Sequence, residues 1–379
     1  MYYFDNAATT WPKPNTVVSA AIKCIVKSGA NPNRGGYAMA KEAGHVVLET
    51  RRELCSFFGT QDPFEYMFVH NTTQALNFAI KGILKPGDHA VASSIEHNSS
   101  LRPLNKMKSA GCDVDIVFAD KNGDVSPQSI ASALKDNTKL LVISHASNVF
   151  GSIQPVGEII EIAHKNGTMV LVDAAQSAGS MPLSIKDINA DMVAFPAHKG
   201  LYGLQGTGVL YVKNGIILDT IIEGGTGSDS KILLQPEMFP DKFEAGTQNA
   251  PGIAALGEAV RFIRQKNVEH IFNHENMLAK QFIHGIQGIE NVTVYGNTDG
   301  PRCGIVSINI GNADPGTVEN LLDERYDIAI RSGYHCAPLA HKSMGTYDTG
   351  AVRFSFGYYN DERQVDYAIR AIRELAKDL

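Results

Sequence analysis

The first half of the chain alternates between two patterns of hydrophobic positions. Apolar residues recur at helical spacing over residues 17–27 and 40–58, whereas residues 66–69 form a short apolar run between polar neighbours. Similar short runs predict further strands over residues 89–92, 114–118, 140–144, 170–172, 191–195 and 209–212. Helical stretches separate most of these runs, as the crossover connections of a largely parallel sheet require. The pattern therefore predicts an α/β fold.

A different pattern begins after Ala250. Two amphipathic helices, two strands and a last helix are predicted over residues 251–266, 271–286, 292–295, 305–309 and 361–377. A chain of 379 residues also exceeds the usual size of one hydrophobic core. We therefore predict a large α/β domain over residues 14–250, with a mostly parallel seven-stranded sheet. A smaller α+β domain would comprise residues 251–379 together with residues 1–13.

Composition narrows the classes of function. The 44% hydrophobic and 20% charged residues are typical of a globular protein. A net charge of −6 without a basic run argues against a nucleic-acid surface. Residues 1–6 lack the basic and apolar regions of a signal peptide, and no apolar run reaches the roughly 18 residues that a membrane span needs. We expect a cytoplasmic protein that binds neither nucleic acid nor a membrane.

The five cysteines are odd in number and widely spread, and none belongs to a CxxC pair. This spacing predicts neither a disulfide framework nor a metal site. Four of them, Cys24, Cys55, Cys112 and Cys303, are interpreted as small core residues. Cys336 differs because it lies among loop-forming and basic residues, a setting that favours the reactive thiolate.

Residues with reactive side chains follow directly after two of the predicted strands. Lys199 comes after the strand 191–195 and before a glycine-rich turn, and Asp173 and Gln176 follow the strand 170–172. Ligands of open α/β sheets bind at the edge formed by the carboxyl ends of the strands. An amine for a Schiff base, a carboxylate for a pyridinium nitrogen and a polar partner for a phenolic oxygen are the groups that pyridoxal phosphate (PLP) needs. Taken by itself, such a lysine is more often a solvated loop residue.

Other residues at the same predicted edge suit a cofactor site. Thr72 and Thr73 begin a capped helix directly after a strand, where free backbone amides and the helix dipole suit a phosphate; simple N-capping explains them equally well. His97 follows another strand, where an imidazole either lies against a flat ring or moves protons near neutral pH as a catalytic residue; a structural role is the alternative. Asn148 follows a third, and either binds cofactor or substrate or makes a turn.

Arg353 lies in a strand-like run, residues 352–356, near the end of the chain. An arginine on a rigid strand suits bidentate binding of an amino acid's α-carboxylate. A surface salt bridge is the alternative interpretation.

Seven short motifs follow one another along the chain: Asp5-Asn6-Ala7-Ala8-Thr9-Thr10, Asn33-Arg34-Gly35-Gly36, Glu96-His97-Asn98, Ser147-Asn148, Asp173-x-x-Gln176, His198-Lys199 and Arg331-Ser332-Gly333-x-His335-Cys336. Their order closely resembles that in the cysteine desulfurases, which have the class V aminotransferase fold (PLP-dependent fold type I), in the branch that includes selenocysteine lyases. The resemblance runs from near Phe4 to beyond Arg353.

The resemblance implies which residues contact the cofactor ring. Lys199 would carry PLP through a Schiff base, and Asp173 would pair with the pyridine nitrogen. Gln176 would contact the phenolic oxygen, while His97 would stack on the ring. Lys199, once displaced by the substrate, would remove the Cα proton.

The resemblance also implies how the phosphate and the substrate are held. Thr73, His198 and, from a second subunit, Thr247 would bind the phosphate, which implies a homodimer with shared active sites. Arg353 and Asn148 would bind the substrate carboxylate.

Two positions depart from the family pattern. Pro196 stands two residues before His198, where family members commonly have a Ser or Thr that helps to bind the phosphate. Tyr37 stands where many relatives have a histidine, which leaves the role of its loop open.

The resemblance therefore predicts a PLP-dependent cysteine desulfurase that converts L-cysteine to L-alanine and leaves a persulfide on Cys336. The sulfur would pass to an acceptor protein, for example in iron–sulfur cluster assembly. A selenocysteine lyase, or another class V enzyme such as an aminotransferase, is the alternative. A nucleotide-binding protein is less favoured, because the glycines of Gly203-x-x-Gly206-x-Gly208 are in reverse order and precede a strand.

Overall fold

The computed structural model describes residues 1–32, 35–228 and 230–379, and within them the chain forms three β-sheets. The strands are β1 (Tyr2–Tyr3), β2 (Tyr66–Val69), β3 (His89–Ser93), β4 (Asp113–Val117), β5 (Thr138–Ser144), β6 (Met169–Asp173), β7 (Met192–Pro196), β8 (Gly208–Val212), β9 (Val292–Tyr295), β10 (Ile305–Ile310), β11 (Ile328–Ala329), β12 (Arg331–Gly333) and β13 (Ala351–Ser355).

The large sheet has the strand order β2-β8-β7-β6-β5-β3-β4. Strand β8 runs antiparallel to its neighbours β2 and β7, and the other neighbours pair in parallel. The predicted α/β fold with a mostly parallel seven-stranded sheet is thus confirmed.

Helices connect the strands and pack on the sheets. They are α1 (Asn15–Lys27), α2 (Ala38–Phe58), α3 (Thr72–Ile83), α4 (Asn98–Ser109), α5 (Pro127–Ala133), α6 (Val156–Lys165), α7 (Ile185–Ile188), α8 (Ala250–Lys266), α9 (Val268–Ile286), α10 (Pro315–Tyr326), α11 (Pro338–Met344) and α12 (Glu362–Asp378). Helix α9 begins three residues earlier than predicted, because the Asn267 side chain caps it by accepting from the Glu269 amide. Within the described ranges, no helix is both long and apolar enough to cross a bilayer.

Alternate residues of the large sheet face two separate hydrophobic cores. In β5, Leu141 and Ile143 join a cluster with residues of α1, α2 and α8, whereas Leu140 and Val142 join a cluster with residues of α3. Side chains of a strand point alternately to its two faces, so burial on both sides produces the continuous apolar runs seen in the sequence.

A third core surrounds a four-stranded antiparallel sheet of order β12-β13-β10-β9. The N-terminus contributes to this core, since Phe4 packs in it and β1 pairs in parallel with β11. The division into residues 14–250 and residues 251–379 with 1–13 stays a prediction.

One glycine sets the approach of α3 to the sheet edge. A Cβ on Gly208, the first residue of β8, would lie 2.7–2.8 Å from the backbone of Asn71, the N-cap of α3. The glycine-rich turn therefore lets the helix start lie against the sheet. Of the motif at residues 33–36, Asn33 and Arg34 lie outside the described residues.

Candidate active site

A cavity of about 190 Å³ lies at the carboxyl edge of the large sheet. Its wall includes the last residues of three neighbouring strands, Ser144 of β5, Asp173 of β6 and Pro196 of β7. The predicted site residues that line it are Thr72, Thr73, His97, Asn148, Asp173, Gln176, His198 and Lys199. Parallel strands end at one edge, which is why residues far apart in sequence meet here.

The half-buried Lys199 and the buried Asp173 bring an amine and a carboxyl group into this cavity. Burial lowers the pKa of Lys199 to about 8; the Asp173 charge opposes this shift and the Arg353 charge adds to it. Asp173 accepts a hydrogen bond from the Ala175 amide at 2.9 Å, and burial raises its pKa. The cavity therefore brings the uncharged form of the amine within reach near pH 8, and it holds a carboxyl group that a cationic ligand atom would stabilise.

One end of the cavity suits an anion. The Asn71 side chain caps α3 by accepting from the Gln74 amide, which leaves the helix N-terminus facing the cavity at Thr72 and Thr73. The Thr72 Oγ1 and the His198 Nδ1 are buried, and no described residue hydrogen-bonds to either. Polar atoms buried in this way need a partner.

His97 is the N-cap of α4, and its Nδ1 accepts from the Ser99 amide at 3.1 Å. Burial, followed by the charges of Lys199 and Arg331, lowers its pKa to about 4. The imidazole is therefore neutral at physiological pH.

Gln176 donates its side-chain amide to the Ala7 carbonyl at 3.1 Å and also lines the cavity.

Arg353 and Cys336 lie beyond the cavity wall and are linked to it through Asn148. The Arg353 side chain is 1% exposed and donates to the Asn148 carbonyl at 3.1 Å and to Asp5 Oδ1 at 2.8 Å. It therefore forms an ion pair whose arginine is buried and whose Asp5 side chain is 19% exposed, rather than the surface salt bridge that the sequence left open. Asn148 in turn donates its side-chain amide to the His335 carbonyl at 2.7 Å.

Cys336 is half-buried, whereas the other four cysteines are buried. The guanidinium Nη2 of Arg331 donates to its Sγ at 3.8 Å, so a cation lies beside this sulfur. Arg331 and Arg353 are directly paired across β12 and β13.

Thr247 is the one predicted site residue that lies in a different cavity of the same chain. It lines a separate small cavity with His70 and Gln248, and its hydroxyl accepts from the Asn31 side chain at 3.2 Å. The described chain by itself thus leaves Thr247 away from Lys199.

Comparison with known proteins identifies the family. Residues 2–368 match the family Aminotransferase class-V. The chain belongs to the class-V aminotransferase family.

Relatives of known name align over almost the whole chain. A protein of Methanothermobacter thermautotrophicus named "Probable cysteine desulfurase" is 36% identical over 99% of this chain and 94% of its own length. A protein of the same name from Pyrococcus abyssi is 33% identical over 100% of this chain and 94% of its own length. The apo structure of a cysteine desulfurase from Thermococcus onnurineus NA1 superposes with a TM-score of 0.93 at 33% identity, covering 100% and 95% of the two chains.

Sequence reasoning assigned no role to two groups beside the site, although the quoted motifs of residues 5–10 and 96–98 contain residues of both. Glu96 is fully buried directly before His97, and its carboxyl accepts from Ser93 Oγ, the Ser144 amide and Ser144 Oγ at 2.6–2.8 Å. Burial raises its pKa to about 8. A glutamate directly after a buried strand, beside a candidate histidine, was the available signal.

The second group belongs to the N-terminal segment. The carbonyl of His198 accepts from the Thr10 amide at 3.1 Å, from Thr9 Oγ1 at 3.0 Å and from Lys13 Nζ at 2.6 Å. Thr10 Oγ1 also donates to the Lys199 carbonyl at 3.0 Å. No local signal in the sequence relates residues 9–13 to Lys199.

Proposed function

We propose that this protein is a PLP-dependent cysteine desulfurase that converts L-cysteine to L-alanine. The observation that carries the proposal is the link from the cavity of Lys199 and Asp173 through Asn148 to the turn of Cys336. The thiol of this turn is the least buried of the five cysteines and lies beside Arg331. The names of the relatives support the same reaction.

The residues of the cavity fit PLP. Asp173 is a buried carboxyl suited to a protonated pyridine nitrogen, and Lys199 supplies the amine for a Schiff base. The unpartnered Thr72 Oγ1 and His198 Nδ1, with the start of α3, suit the phosphate. When bound, PLP supplies an electron-poor ring that takes up the electrons released at the substrate Cα.

The protein's own residues perform the remaining steps. Arg353, whose Nε has no hydrogen-bond partner among the described residues, would hold the substrate carboxylate together with Asn148. The neutral Nζ of Lys199 removes the Cα proton. A pKa of about 8 makes the neutral amine accessible near physiological pH. The Cys336 thiolate then attacks the substrate sulfur. The new S–S bond forms as the Cβ–S bond breaks, so that the persulfide stays on Cys336 and the carbon skeleton is protonated to alanine.

The proposal includes a homodimer. Thr247 lies away from Lys199 in its own chain, so it would reach the phosphate of the partner subunit. The exposed apolar residues Ile232, Leu233, Leu234 and Met238 of the preceding segment support a contact between subunits. The persulfide sulfur would pass to an acceptor protein in the cytoplasm, with iron–sulfur cluster assembly as one use.

Spectroscopy and product analysis test the function. Purified protein with added PLP should show a visible absorption band. With dithiothreitol as the reductant that cleaves the persulfide, cysteine should yield equal amounts of alanine and sulfide. Cys336→Ala should keep the band and lose sulfur release. An unchanged rate in this variant would favour an aminotransferase or lyase that does not use Cys336. A protein without the band would refute the cofactor.

A further inference from the structure

The turn that carries Cys336 has an unusual backbone conformation. His335 and Cys336 have φ angles of 49° and 56°, so two consecutive residues other than glycine are left-handed. This region is unfavourable for side chains with a Cβ, and residues remain in it only when neighbouring contacts hold them there. The position of the Cys336 thiol therefore depends on what holds the turn.

Two hydrogen bonds from outside the turn hold its carbonyl groups. Asn148 Nδ2 donates to the His335 carbonyl at 2.7 Å, and the Asn98 backbone amide donates to the Cys336 carbonyl at 2.7 Å. Asn98 is the first residue of α4, directly after His97. His335 is 2% exposed, so its carbonyl cannot exchange Asn148 for bulk water without opening the turn.

Asn148 connects this turn to the rest of the site. Its side chain lines the cavity with Lys199, and its backbone carbonyl accepts from Arg353. We propose that Asn148 is a positioning residue for Cys336: its amide, together with the Asn98 amide, fixes the left-handed turn and so sets the position of the thiol. The catalytic meaning of this placement rests on the proposed desulfurase function.

Asn148, a residue of the cofactor cavity, therefore also sets the position of the Cys336 thiol, which accepts the substrate sulfur. In the held turn, Cys336 Sγ stays beside Arg331 and half-buried. When either hydrogen bond is lost, the turn can relax toward an ordinary backbone conformation and the thiol becomes accessible.

Thiol alkylation tests this placement without requiring turnover. Iodoacetamide should modify Cys336 selectively, because the other four cysteines are buried. Asn148→Asp keeps the shape of the side chain but replaces the amide donor by an acceptor facing the His335 carbonyl. We expect the limiting alkylation rate at high pH to rise roughly tenfold in the PLP-loaded protein, about the effect of one buried hydrogen bond.

A second variant removes the other hydrogen bond without touching the cavity wall. Asn98→Pro lacks the amide that bonds to Cys336, and proline is well tolerated at the first position of a helix. The preceding residue, His97, has φ −68° and ψ 155°, which suits a residue before proline. We expect a similar increase in alkylation and a lower kcat for cysteine with little change in KM.

The control is Asn166→Ala, which removes a comparable hydrogen bond, from Asn166 Nδ2 to the Lys135 carbonyl at 3.0 Å, on the exposed surface. Its alkylation should match the wild type. Wild-type rates in Asn148→Asp would overturn the proposal, as would equal acceleration at all five cysteines, which reports general unfolding. If the wild-type protein has no desulfurase activity, the proposed function is wrong. The alkylation rates of the variants still test how Cys336 is positioned.

Discussion

Lys13 Nζ lies 2.6 Å from the carbonyl oxygen of His198, in the peptide group that joins His198 to Lys199. The same ammonium donates to Thr10 Oγ1 at 2.8 Å. Burial lowers the pKa of Lys13 to about 8, so placing a charge here has a cost that the hydrogen bonds offset. The N-terminal segment thus holds the backbone of the reactive lysine across a sequence separation of 185 residues.

Replacing Lys13 by Met should therefore slow alanine formation from cysteine by roughly tenfold, since a charge-assisted hydrogen bond is lost beside Lys199. Steady-state kinetics of the PLP-loaded enzyme measure the effect. Lys23→Met, which changes an exposed lysine of α1, is the matched control and should retain the wild-type rate. Equal rates in the two variants would contradict a role for Lys13.

Lys199 should destabilise the cofactor-free protein at neutral pH. Its pKa is about 8 in the folded chain against an ordinary value of 10.5, so the unfolded chain binds the proton more tightly. Lys199→Met is expected to raise the free energy of unfolding at pH 7 by up to about 3 kcal/mol. The difference should disappear as the pH rises from about 8 to about 10.5. Urea unfolding across this range checks both the sign and the window.

Ser99 offers a hydroxyl near the position where Pro196 has none. Both residues line the cavity, and Ser99 Oγ lies 2.7 Å from Thr73 Oγ1. Ser99→Ala is expected to raise the dissociation constant for PLP by roughly fivefold, the effect of one neutral hydrogen bond. Titration of the visible band measures it. Ser109→Ala at the exposed end of α4 should have no effect, and equal affinities in both variants would exclude Ser99 as the compensating donor.

The ion pair between Asp5 and the buried Arg353 should be costly to break from one side. Asp5→Ala leaves the arginine charge buried and is expected to lower the free energy of unfolding by about 3 kcal/mol. The double variant Asp5→Ala/Arg353→Met should recover part of this loss, because no unpaired charge remains. Asp378→Ala, which breaks the exposed pair with Arg325, should change stability by less than about 1 kcal/mol. Equal losses in the single and double variants would show that the charge is not the cause.

Much of the cavity follows from local sequence rules. Asp173 and Lys199 follow buried apolar runs, and Asn71 with Thr72 forms a helix start after another. In a parallel sheet the ends of such strands meet at one edge, so their positions in sequence suffice to bring them together. The same rules could not give the antiparallel direction of β8, because the apolar run 208–212 would be buried in either direction.

The contacts that hold the reactive groups required the tertiary structure. Lys13 meets His198, Asp5 meets Arg353, and Asn148 meets His335 across more than 180 residues in each case. No periodicity or capping rule relates positions so far apart, since each contact forms only when distant parts of the chain pack together. Local sequence patterns account for the strands of the large sheet, the cavity edge and the residues capable of the chemistry. Packing between distant segments decided how the backbone of Lys199 and the turn of Cys336 are held, because those hydrogen bonds join groups that only the folded chain brings within reach.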